Sequence, residues 1–114
     1  MKEFNNKFDC FVNDGDDISI TIQAGDGQTA SSYFEKPGSE PVNGTVDKEY
    51  LGKGVNVKGK KLLIISMVTR VNQNTEWAGI SYALTTTPGI EQPYSEQFDS
   101  QDNSLRYITT ITFK

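Results

Sequence analysis

Every second residue is apolar over most of the chain, with polar residues between. Ile18, Ile20 and Ile22 alternate in this way with polar side chains, and segments 78–84 and 105–113 repeat the pattern. A period of two places successive side chains on opposite faces of a pleated strand. No segment shows the 3.6-residue period of an amphipathic helix. The pattern therefore predicts an all-β chain without a substantial helix.

Turn-forming residues divide the chain at intervals of roughly 8–12 residues, which is typical of an antiparallel two-layer β-sandwich. An Ig-like or jelly-roll-like arrangement of about seven or eight strands follows. We predict strands at 6–13, 17–24, 29–35, 47–57, 61–71, 76–86, 93–98 and 103–113. Segments 36–46 and 87–92 are predicted to be loops. With 114 residues, the chain has the size of one domain spanning 1–114.

Strand 61–71 is apolar on both faces. One face carries Leu62, Ile64 and Val68, and the other carries Leu63, Ile65, Met67 and Val71. The outer face of a sandwich strand normally meets water, so both faces require cover. Either the 36–46 loop or the N-terminal segment folds over the outer face, or this face is an interface. We assign that interface to Leu62, Ile64 and Val68, with a second copy of the chain or another protein as the partner.

Charge and hydropathy narrow the function classes. The net charge is −4, and the basic residues are scattered, which argues against binding to DNA, RNA or anionic lipid. The longest mainly apolar run, from Leu62 to Val68, is far shorter than the roughly 20 residues that span a bilayer. We therefore expect no membrane insertion. A cytoplasmic location and secretion after removal of a leader both remain open.

Catalytic chemistry has little support. The chain contains no histidine, the side chain that acts most often as a general base and as a metal ligand. Cys10 alternates with Phe8 and Val12, which indicates a small core residue rather than a nucleophile. The sequence therefore predicts a protein that is not an enzyme.

Aspartate residues concentrate in the predicted bends at 13–17 and 99–103. If every strand reverses direction, the bends at 13–17, 36–46, 72–76 and 99–103 gather at one acidic pole. Oxygen ligands that converge from several loops are what calcium requires. The candidate calcium ligands are Asp14, Asp16, Asp17, Asp99 and Asp102. The alternative is that these residues only stabilise turns through local hydrogen bonds.

Aromatic residues supply candidate ligand contacts. Tyr33 and Phe34 are consecutive and point to opposite faces, so one of them is a candidate for exposure beside the acidic pole. Trp77 alternates with small residues, which predicts either a flat surface platform or a core position against the opposite sheet. Asn74 lies in the preceding bend. Trp77, Tyr33, Phe34 and Asn74 form the predicted ligand site.

Two function classes follow. The first is a non-catalytic binding module that recognises a glycan or a protein surface through the acidic pole or the Trp77 face, with calcium as a candidate cofactor. The second is a structural or assembly subunit that buries the outer face of strand 61–71 in a homo-oligomer or in a complex with another protein. A sandwich fold by itself does not choose between them.

Overall fold

The structure, a computed structural model, describes residues 1–36, 38–99 and 102–114. Residue 37, in the predicted 36–46 loop, and residues 100 and 101, in the predicted 99–103 bend, lie outside the described residues. In the part described, the chain forms nine strands and one helical turn. They are β1 (Lys2–Cys10), β2 (Asp17–Ala24), β3 (Thr29–Phe34), β4 (Val42–Gly44), β5 (Val46–Lys53), α1 (Gly54–Val57), β6 (Lys61–Thr69), β7 (Trp77–Leu84), β8 (Ile90–Gln97) and β9 (Ser104–Phe113).

The strands form two packed sheets, as the alternation predicts. One described sheet has the order β1-β9-β6-β3-β4 and the other has the order β5-β2-β7-β8. Neighbouring strands are antiparallel except β1 and β9, which pair in parallel from Lys2 beside Leu105 to Cys10 beside Phe113. The two-layer β-sandwich is confirmed. No helix among the described residues is long and apolar enough to cross a bilayer.

The core lies between the inward faces of the two sheets. Ile18, Ile20 and Ile22 are buried on β2, and Tyr82 is buried on the neighbouring strand β7 of the same sheet. Tyr107 is buried on β9 of the facing sheet. The inward sets on these strands are those that the period of two predicts. Cys10 is also fully buried, which confirms its predicted core position.

One end of the sandwich, named the α1 end, is held together by bonds between connections. It carries the connections 11–16, 54–60 and 85–89. The Gly54 N–H donates to the Asp16 carbonyl at 2.8 Å, and the Asp16 carboxylate accepts a hydrogen bond from the Thr87 hydroxyl at 2.9 Å. The described residues between β3 and β4 also lie at this end, because β3 runs parallel to β1.

The opposite end, named the Met1 end, carries Met1 and a second set of connections. These are 25–28, 70–76 and the described residues between β8 and β9. The Gln28 side chain donates to the Asn72 carbonyl at 3.3 Å, and the Arg70 N–H donates to the Asn103 carbonyl at 2.7 Å. The two sets of connections are therefore separated by the length of the strands.

The predicted single acidic pole is wrong, and a strand of three residues is the reason. β4 lies inside the segment predicted as the 36–46 loop, and the chain reverses at Thr45 before β5 begins. Each later connection is consequently moved to the opposite end of the sandwich. Connections 54–60 and 85–89 join the 11–16 connection at the α1 end, whereas 70–76 and the bend near Asp99 lie at the Met1 end.

The predicted interface on β6 is also wrong, because its three residues lie on the face that forms the core. Leu62, Ile64 and Val68 are buried between the sheets, with Ile64 fully inaccessible. The face that remains exposed carries Leu63 and Ile65, with exposures of 54% and 38%. The described residues of the 36–46 segment do not cover this face, because β4 pairs beside β3 within the same sheet. β1 forms the other edge of that sheet.

Candidate binding cleft at Trp77

The structure divides the five predicted calcium ligands between the two ends of the sandwich. Asp14, Asp16 and Asp17 lie at the α1 end, and Asp99 and Asp102 lie at the Met1 end. Among the described residues, no group of three or more histidine, cysteine or acidic side chains is placed to hold a metal ion. The predicted five-carboxylate site is therefore not formed.

Donors within the chain occupy the carboxylates of the α1 end. Lys58 lies 2.8 Å from Asp14, and Lys53 lies 3.0 Å from Asp17. Hydrogen bonds from the Asn13 N–H and from the Thr87 hydroxyl and N–H hold the pKa of Asp16 below its ordinary value. The Lys53 ammonium likewise lowers the pKa of Asp17. These contacts favour the turn-stabilising interpretation of the three residues.

The carboxylates of the Met1 end pair with the first residues of the chain. The Lys2 ammonium lies 3.1 Å from an Asp99 oxygen, and the Met1 amino group lies 2.6 Å from an Asp102 oxygen. Lys2 also donates to the Gln97 carbonyl at 3.4 Å, which links β1 to β8. Asp99 therefore helps to position a lysine on the open side of the sandwich between these two edge strands.

The predicted aromatic site is divided in the same way. Trp77 begins β7 at the Met1 end and is 45% exposed, which decides between the surface and the core interpretations. Asn74 lies at the same end. Tyr33 and Phe34 end β3 at the α1 end, where Phe34 is fully buried and Tyr33 is exposed. Trp77 and Asn74 thus lie at the same end of the sandwich, although Asn74 does not line the cleft at Trp77, and the other two residues belong to a different region.

A buried glutamine fixes the backbone that presents Trp77. The Gln28 Nε2 donates to the Trp77 carbonyl at 3.1 Å, and its Oε1 accepts the N–H groups of Val71 and Asn72, each at 2.9 Å. The Trp77 N–H in turn donates to the Thr75 hydroxyl at 3.1 Å. Side-chain bonds to the backbone on both sides of the connection hold the start of β7 in place.

Trp77 borders an open cleft between the edge strands β1 and β8. The cleft measures about 400 Å³, and its lining residues are Lys2, Glu3, Phe4, Trp77, Glu96 and Gln97. Trp77 and Gln97 are direct cross-strand partners. The cleft therefore combines an aromatic ring with amide and carboxylate groups, a combination that can contact both the apolar and the polar faces of a ligand.

The polar groups of the cleft differ in their availability. Lys2 pairs with Asp99, and the Glu3 carboxylate accepts a hydrogen bond from Arg106 at 3.1 Å. Within residues 1–36, 38–99 and 102–114, the Glu96 carboxylate and the Gln97 amide have no side-chain partner. These two groups are the hydrogen-bonding side chains that the cleft offers to a ligand.

Sequence reasoning missed most of this cleft. Lys2, Glu3 and Phe4 precede the predicted start of the first strand, although Phe4 has the same parity as Phe8 and Cys10, with the polar Asn6 between them. That shared parity is the signal in the sequence that favours a longer β1. No signal in the sequence marks Gln28 as a buried scaffold, because its partners are backbone groups of a distant connection.

Comparison with protein-family models, curated proteins and solved structures finds no match for this chain. The interpretation of the cleft therefore depends on its own chemistry.

Proposed function

We propose that the protein is a non-catalytic binding module that recognises a saccharide through the Trp77 cleft. The observation that carries the proposal is that the exposed Trp77 lines one open cleft together with Glu96 and Gln97, whose side chains have no partner among the described residues. A sugar ring presents an apolar C–H face and a rim of hydroxyl groups. The indole ring packs against the first, while the carboxylate and the amide accept or donate hydrogen bonds to the second.

The charge of the cleft favours a neutral saccharide. Lys2 and Glu3 each have a partner of opposite charge, which leaves Glu96 as the charged group without one among the described residues. The protein also carries a net charge of −4. Sulfated, uronic or other anionic glycans are repelled by this field, whereas neutral hexose polymers are not.

Trp77 provides its own reporter, because it is the only tryptophan in the chain. Titration with neutral oligosaccharides should change its fluorescence intensity and shift its emission to shorter wavelength as the ring is desolvated. Affinity electrophoresis in gels that contain neutral polysaccharides gives an independent measure of binding. Addition of calcium or EDTA should leave both results unchanged, since the carboxylates predicted as calcium ligands do not converge.

Two variants separate the cleft from general surface effects. Trp77→Ala should abolish retardation in the gel, and Glu96→Gln should weaken it several-fold without loss of folding. Tyr50→Ala is the matched control, because Tyr50 is 46% exposed on β5, the edge strand opposite β8 in the same sheet. This variant should bind the polysaccharide as the wild type does. Retardation that persists in Trp77→Ala, or no response to any neutral glycan, would overturn the proposal.

A second candidate function is assembly through the exposed face of β6. The outer patch consists of Tyr33, Leu63, Ile65 and Ile108, and the register places Tyr33 and Ile108 on either side of Ile65. Apolar side chains so grouped on a sheet are typical of an interface. The molecule extends 45 by 28 Å along its longer axes. A sheet face of these dimensions can bury the roughly 800 Å² of accessible surface per partner that a stable interface requires. The proposed partner is a second copy of the chain.

The neighbouring isoleucines of β6 test the assembly directly. Ile65→Lys changes the outer patch and should leave a folded monomer in light scattering. Ile64→Lys places a charge in the core and should unfold the chain. A wild-type chain that is monomeric at about 100 μM would refute the homo-oligomer without affecting the proposal for the Trp77 cleft.

A further inference from the structure

A second pocket lies at the α1 end, between the two sheets and far from Trp77. It measures about 130 Å³, and its apolar walls come from four different elements. The apolar lining residues are Leu51 on β5, Val57 on α1, Leu62 on β6 and Phe113 on β9. An apolar cavity of about 150 Å³ holds a benzene molecule, so this pocket has the size of a single small ring.

The chain holds the rim of the pocket in place. The Gly59 N–H donates to the Phe113 carbonyl at 2.8 Å, and the Phe113 N–H donates to the Lys60 carbonyl at 2.9 Å. The Lys60 N–H also donates to the Val57 carbonyl at 3.0 Å. The backbone of Lys60 is therefore fixed between α1 and the end of β9, beside the apolar walls.

Positive charge exceeds negative charge at this rim. Its charged residues are Glu35, Lys36, Lys60 and Lys61. The Lys36 ammonium donates to the Tyr50 carbonyl at 2.9 Å and to Glu49 at 3.4 Å, and Glu35 accepts the Tyr33 hydroxyl at 3.0 Å. In the described part of the chain, no carboxylate forms an ion pair with Lys60 or Lys61.

We propose that this pocket binds a small organic anion, namely a carboxylate on a ring or branched chain of benzoate size. The apolar part fits among Leu51, Val57 and Phe113, and the carboxylate meets the ammonium groups of Lys60 and Lys61 at the rim. Apolar walls with a few charged groups that fix the orientation are the usual composition of small-molecule sites. A charge-assisted contact distinguishes the anion from a neutral ligand of the same shape.

Three probes separate the parts of this recognition. Benzoate carries both the ring and the charge, benzyl alcohol retains the ring, and acetate retains the charge. In methyl and aromatic NMR spectra, benzoate should shift the resonances of Leu51, Val57, Leu62 and Phe113 in a saturable way. The Kd values for benzyl alcohol and acetate should be at least about tenfold higher than for benzoate. Raising the salt concentration from about 20 to about 500 mM should weaken the binding of benzoate several-fold.

Matched variants identify the groups that bind the charge. The double variant Lys60→Gln with Lys61→Gln should raise the Kd for benzoate about tenfold and leave that for benzyl alcohol unchanged. Lys48→Gln removes one positive charge from an exposed position of β5 outside the pocket, and this variant should bind benzoate as the wild type does. Val57→Phe fills the pocket and should abolish binding, and the lysine variants keep the test decisive if this variant does not fold.

Three results would overturn the proposal. They are equal affinity for benzoate and benzyl alcohol, unchanged affinity in the double lysine variant, and shifts that avoid the wall residues. The fluorescence of Trp77 should not respond to benzoate, because the two sites lie at opposite ends of the sandwich. Failure of one site is thus distinguishable from failure of the other.

Discussion

Gly54 and Asn13 approach each other so closely that no side chain fits between them. A Cβ atom built on Gly54 would lie 1.8 Å from the Asn13 carbonyl oxygen and 2.8 Å from its carbonyl carbon. The Gly54 N–H donates to the Asp16 carbonyl at 2.8 Å in the same contact. The first residue of α1 therefore packs directly against the backbone of the connection between β1 and β2, which closes the α1 end.

Gly54→Ala should reduce the free energy of unfolding by about 3 kcal/mol, because two backbone segments must move apart to admit one methyl group. Urea denaturation measures the change. Gly15→Ala is the control, since a Cβ there meets nothing within 4 Å, and its stability should stay within about 0.5 kcal/mol of the wild type. Equal midpoints for the two variants would contradict the close approach.

A buried chain of hydroxyl groups connects the two sheets. The Tyr82 hydroxyl donates to the Ser66 hydroxyl at 3.3 Å and accepts a hydrogen bond from Thr109 at 3.0 Å, while Ser32 and Ser66 lie 2.7 Å apart. Tyr82→Phe should cost about 1–2 kcal/mol, because it leaves buried polar groups without a partner. Thermal unfolding measures the loss. Tyr33→Phe is the control, as the Tyr33 hydroxyl is on the surface and should contribute less than about 0.5 kcal/mol.

A loss equal to that of Tyr33→Phe would show that water replaces the missing hydroxyl of Tyr82. A much larger loss would show that the hydroxyl also sets the spacing of the sheets. The measured difference therefore tests the geometry of the network as well as its existence.

Asp16 should make the α1 end sensitive to acid. Hydrogen bonds to Asn13 and Thr87 hold its pKa below the unfolded value of 3.8. Because the pKa of Asp16 is lower in the folded protein than in the unfolded chain, ionised Asp16 stabilises the fold at pH values above the unfolded pKa. This stabilisation is lost as the pH falls through the folded pKa. Asp16→Asn should therefore be less stable than the wild type at pH 7, with a difference that narrows at pH values below 3.8.

Urea midpoints measured between pH 2 and pH 7 give this comparison. Asp47→Asn removes an exposed carboxylate of β5 outside the contact and should follow the wild-type profile. A constant difference between Asp16→Asn and the wild type across the whole range would show that the hydrogen bonds do not depend on ionisation.

The Cys10 thiol should be unreactive in the folded protein. Burial raises its pKa to about 11, and the side chain is fully inaccessible. Only the thiolate reacts rapidly with disulfide reagents. Labelling with an aromatic disulfide at pH 8 should be slow in buffer and rapid in concentrated urea. Rapid labelling without denaturant would indicate that β1 separates readily from β9.

The sequence was sufficient to determine which residues pack inward on most strands. The alternation of Ile18, Ile20 and Ile22 requires only neighbouring residues, because the period of two is a property of one extended strand. The same local rule predicted the all-β class and the burial of Cys10. It was least reliable where the pattern was shortest, and β4, with three residues, contains no full repeat of the alternation.

Only the tertiary structure decided where the candidate sites lie. The reversal at Thr45 moved every later connection to the other end and separated Asp16 from Asp99. On β6 both faces are apolar, so pairing with β3 and β9 selected Ile64 for the core and left Ile65 exposed. The physical reason is common to these results: strand direction, face and the distance between loops are set by pairing partners remote in sequence, which no local pattern of residues encodes.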